Sequence, residues 1–140
     1  MFNQKTNVMK KAFFACLFVA LCSFTSWSQP LLVDNSTSCE YIVELIQQDP
    51  NTCREVCTVK ICVKANSSVN VPPCCSSCVW LVGLVTPAKK PCTPCTSNYV
   101  KVYNAANPCN NVPSSGTYMH CAGCGPYNLD WNNPGVLKIF

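Results

Sequence analysis

The sequence has few charged residues and a single histidine, His120. Asp, Glu, Lys and Arg together make up 11% of its 140 residues. The three aspartates and three glutamates are scattered, and no two of them form a recognisable acid–base pair. His120 stands beside Cys121, but the even number of cysteines leaves no obvious free thiolate for a Cys–His nucleophile. The sequence therefore predicts a protein that is not an enzyme and uses no cofactor.

The longest apolar run lies within the first 28 residues. An uncharged apolar stretch at 12–24 follows the basic residues Lys5, Lys10 and Lys11. Serines occupy the −3 and −1 positions of a candidate cleavage site before Gln29. This arrangement predicts a secretory signal peptide over residues 1–28. The apolar stretch is too short for a transmembrane helix, which needs about 20 residues.

Three alternatives concern the same N-terminal segment. Translation that starts at Met9 would give a shorter leader with the same basic and apolar parts. The residues before Cys22 resemble a lipid-attachment box, so lipid anchoring at Cys22 is an alternative to free secretion. An uncleaved membrane anchor is the third alternative. Beyond the leader, the sequence predicts no membrane span.

Basic charge is scarce once the leader is removed. The formal net charge of +4 includes three leader lysines, so residues 29–140 carry about +1. No basic field is then left to attract nucleic acid or anionic lipid. We expect residues 29–140 to form a single cysteine-rich domain that does not bind nucleic acid.

Cysteine, by contrast, is abundant. Twelve of the 14 cysteines follow the leader, which is the density of a disulfide scaffold. Because their number is even and the leader directs the chain to an oxidising compartment, we expect structural disulfides in a protein secreted to the periplasm or the extracellular space. Each bridge would stabilise the fold by roughly 2–4 kcal/mol, mainly by restricting the unfolded chain. The candidates are Cys39, Cys53, Cys57, Cys62, Cys74, Cys75, Cys78, Cys92, Cys95, Cys109, Cys121 and Cys124.

Metal and redox chemistry are the alternatives to structural bridges. Cys75, Cys78, Cys92 and Cys95 come close to the spacing of a four-cysteine zinc site, to which His120 and its neighbours could add ligands. The CxxC motifs at 92–95 and 121–124 are alternatively a thiol–disulfide redox pair. An oxidising compartment disfavours the persistent thiolates that zinc needs, so we favour the disulfides.

Apolar patterning predicts mainly β structure. Residues 57–64 alternate, which places Cys57 on the core face and Cys62 on the outer face, so these two should not pair. The apolar run 79–85 predicts a strand covered on both faces, in which Gly83 marks a bulge or a close backbone approach. Residues 39–48 fit a short helix or a strand, and the β character elsewhere favours the strand.

Shorter patterns complete the predicted fold. Residues 31–33 suit an edge strand, residues 66–73 a polar turn, and residues 98–103, 117–120 and 136–140 further strands. The fold class expected is a small disulfide-rich antiparallel β-sandwich or irregular β fold, with a short helix near residues 39–48 as the alternative.

One segment suggests a binding surface. Residues 127–135 read as a loop in which the rings of Tyr127 and Trp131 alternate with Asp130, Asn132 and other polar groups. Rings of this kind stack on sugars or apolar ligands while amides supply hydrogen bonds, although a buried anchor is the plainer interpretation. We therefore predict a structural or adhesion-type binding module for an extracellular protein or glycan. A zinc-binding or thiol-redox protein is the alternative, and a cysteine-rich toxin or inhibitor a further one.

Overall fold

The computed structural model describes residues 28–109, 115–121 and 123–140, which form ten strands and contain no helix. The predicted signal peptide and Cys22 therefore lie outside the described residues, apart from Ser28. Within the described part, no helix is long and apolar enough to cross a membrane. The strands are β1 (Leu31–Asn35), β2 (Glu40–Gln48), β3 (Glu55–Val63), β4 (Ser67–Val71), β5 (Val79–Lys89), β6 (Thr93–Pro94), β7 (Val100–Tyr103), β8 (Ser115–Met119), β9 (Pro126–Asn133) and β10 (Val136–Ile139).

The strands form two sheets that share one core. The first sheet has the order β4-β1-β10-β9-β8. The second has the order β3-β2-β5-β6, and β7 also pairs with β5. All of these pairs are antiparallel except β1 with β10, which run parallel. The prediction of a small disulfide-rich β fold is therefore confirmed.

The core is built from alternate residues of both sheets. Tyr41 and Leu45 of β2 face Leu129, Trp131 and Leu137 of the first sheet in one buried cluster. Such alternation is expected when each sheet has one face on the core and one on the solvent.

Strand β5 is central in its sheet, as its apolar sequence predicted, but only its inner face is fully covered. Val85 is completely buried, whereas Leu84 on the outer face is only partly buried. The expected cover on both faces is wrong at Leu84 because no second layer lies over the outer face there. A Cβ added at Gly83 would lie 3.3 Å from Leu137 Cδ2 of the opposite sheet, so this glycine does mark a close approach.

Three secondary-structure expectations and one alternative need correction. The β1 strand lies between β4 and β10 and is not an edge strand. The expected polar turn at 66–73 contains β4, whose buried Val71 and half-buried Val69 alternate with polar residues. The expected loop at 127–135 contains most of β9. Residues 39–48 form a strand over most of their length, so the helical alternative is wrong.

Asn35 links the two sheets through its buried side chain. Its Nδ2 donates to the carbonyl of Cys39 at 2.7 Å and to the carbonyl of Lys64 at 2.8 Å. Its Oδ1 accepts from the backbone amide of Thr37 at 3.0 Å and from the Thr37 hydroxyl at 2.8 Å. Because Asn35 ends β1 and Lys64 follows β3, this one amide fixes the β1–β2 turn against the second sheet.

We predict that Asn35→Ala lowers the free energy of unfolding by about 2 kcal/mol, because buried carbonyl and amide groups would lose their partners. Asn70→Ala, at an exposed position of β4, is the matched control and should change stability by less than about 0.5 kcal/mol. Urea unfolding of both variants with the bridges intact gives the comparison. Equal stabilities of the two variants would contradict the role assigned to Asn35.

Candidate functional site

All twelve cysteines of the described residues are joined in pairs, three pairs at each end of the second sheet. Near the start of β2 and the end of β5 lie Cys39–Cys124, Cys62–Cys92 and Cys95–Cys121. Near the opposite end lie Cys53–Cys109, Cys57–Cys74 and Cys75–Cys78. Cys57 and Cys62 do not pair with each other, as strand alternation predicted.

The four cysteines of the alternative zinc site do not lie together. Cys75 and Cys78 pair with each other before β5, whereas Cys92 and Cys95 follow β5 and have other partners. The 11 residues of β5 separate the two halves by about 35 Å. The redox pairs considered as an alternative within 92–95 and 121–124 are also not formed, because each of those cysteines bonds to a distant partner.

The aromatic rings of the expected binding loop point inwards. Tyr127 is 1% exposed and Trp131 is fully buried, because β9 alternates and these residues share its core face. Asp130 lies on the opposite face and accepts a hydrogen bond from the backbone amide of Asn132 at 3.2 Å. Neither ring is therefore exposed to a ligand, and the exposed Asn132 belongs to the opposite face of the strand.

Two bridges clip the β8–β9 hairpin onto the second sheet. Cys121 and Cys124 lie in the hairpin turn, and their partners Cys95 and Cys39 belong to the second-sheet side. Beside this turn lies a cavity of about 560 Å³, which we call the clipped cavity. It is lined by Ser38, Cys39, Glu40, Ala88, Lys89, Lys90, Cys121 and Cys124.

His120 is buried at the start of the same hairpin turn, directly after β8. Its ring meets the ring of Tyr41 edge-on, with centroids 5.2 Å apart, and its Nε2 lies 3.4 Å from the Glu40 carbonyl oxygen. A ring nitrogen of His120 lies within 4.8 Å of the sulfurs of both clipping bridges. A bridged sulfur is not a thiolate, so this cluster does not offer the charged sulfur ligands that a metal ion prefers.

The neighbouring tyrosines are neutral. Burial raises the pKa of Tyr127 well above its usual range, and the nearby Tyr41 and Tyr118 raise it further. Burial also raises the pKa of Tyr41, although a hydrogen bond from Thr37 opposes the shift. Burial therefore favours the protonated form of both hydroxyls.

A second concave site lies on the outer face of the second sheet. A groove of about 230 Å³ is lined by Ile42, Glu44, Lys60, Leu84, Thr86, Pro94 and Tyr99, and we call it the Tyr99 groove. The strand register places Lys60, Glu44 and Leu84 side by side across three strands. Tyr99 is 52% exposed, so much of its ring surface is open to a ligand.

Sequence reasoning missed the Tyr99 groove. Local patterns placed Lys60 in the strand at 57–64 and Tyr99 in the strand at 98–103, but gave no relation between the two strands. Their proximity depends on the order β3-β2-β5 and on the β5–β7 pairing, which no local pattern specifies.

Comparisons with known proteins do not assign a function to this chain, so its function is inferred from the geometry described above. The chain matches no family model, no curated protein and no solved structure.

We predict that peptide mapping of the unreduced protein recovers the Cys39–Cys124 and Cys95–Cys121 links. These pairs are expected because the β8–β9 turn lies against the second sheet at that end. A reduced and alkylated sample provides the control for peptide assignment. Recovery of a Cys92–Cys95 or Cys121–Cys124 link in their place would contradict the clipped hairpin.

Proposed function

We propose that the protein is a secreted, disulfide-stabilised binding module without catalytic activity, and that it binds an extracellular glycan through the Tyr99 groove. The observation that carries this proposal is the exposed ring of Tyr99 beside the partly buried Ile42 and Leu84 on a sheet face. The twelve paired cysteines support an oxidising destination for the chain.

The groove combines the two kinds of contact that a sugar ring needs. The face of an aromatic ring packs against the C–H groups of a sugar, and Tyr99 offers such a face. The Glu44 carboxylate accepts hydrogen bonds from sugar hydroxyls, the Lys60 ammonium donates them, and the Thr86 hydroxyl does either. A few polar groups around an apolar centre are typical of ligand sites.

The frame around the groove is rigid. β2 and β5 pair over nine registered residue pairs, and β3 pairs with β2 along most of its length. The Cys62–Cys92 bridge joins β3 to the segment that follows β5. A preformed site loses little conformational entropy when a ligand binds, which favours recognition of flexible saccharides.

The distribution of reactive groups supports a role in binding instead of catalysis. His120 is buried, with its Nε2 against a backbone carbonyl. The Glu40 carboxylate is also buried and accepts the backbone amide of Cys92 at 2.8 Å. No described cysteine is a free thiol. These groups therefore serve the fold, and we propose that none of them carries out a reaction.

A glycan suits the groove better than a protein partner. Stable protein interfaces bury about 800 Å² on each side around several large anchors. The groove has a single exposed ring and a volume of about 230 Å³. A groove of this volume with one exposed ring lacks the several large anchors of a stable protein interface. It fits part of a saccharide chain.

We predict that Tyr99→Ala weakens binding to the glycans recognised by the wild type by about tenfold or more, the loss expected when a stacking platform is removed. Glycan-array screening followed by calorimetry on the best ligands provides the measurement. Tyr99→Phe should retain most of the affinity because the ring remains.

Phe140→Ala is the matched control, because Phe140 is 50% exposed but lies on the first sheet. It should bind like the wild type. Unchanged affinity of Tyr99→Ala for every bound glycan, or no glycan binding by the wild type, would overturn the proposal.

A further inference from the structure

We infer that the clipped cavity is a second binding site, which takes an oxyanion group, that is, a carboxylate or a sulfate. Its lining residues are distinct from those of the Tyr99 groove. The inference therefore does not depend on the function proposed for the groove.

The cavity has the volume of a ligand site, and disulfides hold part of its wall. Its volume of about 560 Å³ falls within the range of about 300–1,000 Å³ that small-molecule sites occupy. The Cys39–Cys124 bridge contributes to its wall, and Cys121 of the second clip also lines it. Two disulfides therefore hold the hairpin beside the cavity. Because this wall is fixed by covalent bonds, the cavity is already formed before a ligand binds.

The charged groups that the cavity exposes to a ligand are positive. Lys89 and Lys90 both line it and are exposed. Neither ammonium group pairs with a carboxylate among the described residues. Glu40 is the only acidic residue of the lining, and its side chain is buried and accepts the Cys92 amide. An incoming ligand thus meets two unpaired cations and a carboxylate that is already engaged.

The backbone that carries the two lysines is anchored. Lys89 ends β5 and is registered with Thr93 of β6. The intervening turn is held by the Cys62–Cys92 bridge and by the hydrogen bond of Cys92 to Glu40. Only the lysine side chains need to be ordered when an anion binds, and charge-assisted hydrogen bonds offset that loss.

The remaining lining suits the rest of an oxyanion-bearing ligand. Ser38 is exposed and has a hydroxyl that can donate to a carboxylate or sulfate oxygen. The exposed bridged cysteines Cys121 and Cys124 offer apolar surface beside it. The cavity therefore matches a small acidic molecule or one acidic residue of a saccharide.

The test is an NMR titration of the isotope-labelled, oxidised protein without its predicted signal peptide. The three probes are inorganic sulfate, glucuronate and glucose. We expect sulfate or glucuronate to shift the amide signals of Ser38, Lys89 and Lys90 in a saturable way, and glucose not to. The double variant Lys89→Ala/Lys90→Ala should weaken this binding by about tenfold or more, because both charge-assisted contacts to the anion are lost. Added salt should weaken the wild-type binding as well.

Lys101→Ala/Lys138→Ala is the matched control, because both residues are exposed lysines that line neither the clipped cavity nor the Tyr99 groove. It should keep the wild-type affinity for the probes at the cavity. A response to glucuronate alone assigns a carboxylate ligand, and a response to sulfate alone assigns a sulfate. No saturable shift at the cavity, or an equal affinity of the Lys89/Lys90 double variant, would overturn the inference.

Discussion

Covalent links at the two ends of the second sheet are the constraint on which this structure depends. The chain has few large apolar residues, and its core is one cluster shared by two five-stranded sheets. Bridges that close long loops restrict the unfolded chain most, and Cys39–Cys124 spans 85 residues. Among the described residues, the same pairing leaves no cysteine as a free thiol.

Local alternation predicted much of the architecture. It identified β3 and showed that Cys57 and Cys62 face opposite ways, because a strand places successive side chains on opposite sides. It failed at β9, where Tyr127 and Trp131 also alternate with polar residues. There the asparagines, glycine and proline resembled a loop. Their polar side chains instead occupy the solvent face and the turn after the strand, which local composition does not distinguish from a loop.

The candidate sites were beyond what the sequence could predict. Disulfide partners are chosen by the packing of distant segments, so a CxxC spacing such as 92–95 says little about which sulfurs meet. The Tyr99 groove likewise combines side chains from five strands or their flanks, and the clipped cavity combines a hairpin turn with two strand ends. The residue types were visible in the sequence, but their neighbours were set by sheet order.

The parallel pairing of β1 with β10 has a mechanical consequence. Leu32 is registered with Val136 and Asn35 with Ile139, so the two strands run side by side in the same direction. A pull on the start of β1 and the end of β10 would load their hydrogen bonds together, in shear, and would not open them one at a time. Neither strand contains a cysteine, so the first resistance to tension comes from this non-covalent seam. The disulfide-linked segment 39–124 would be stretched only after the seam has yielded.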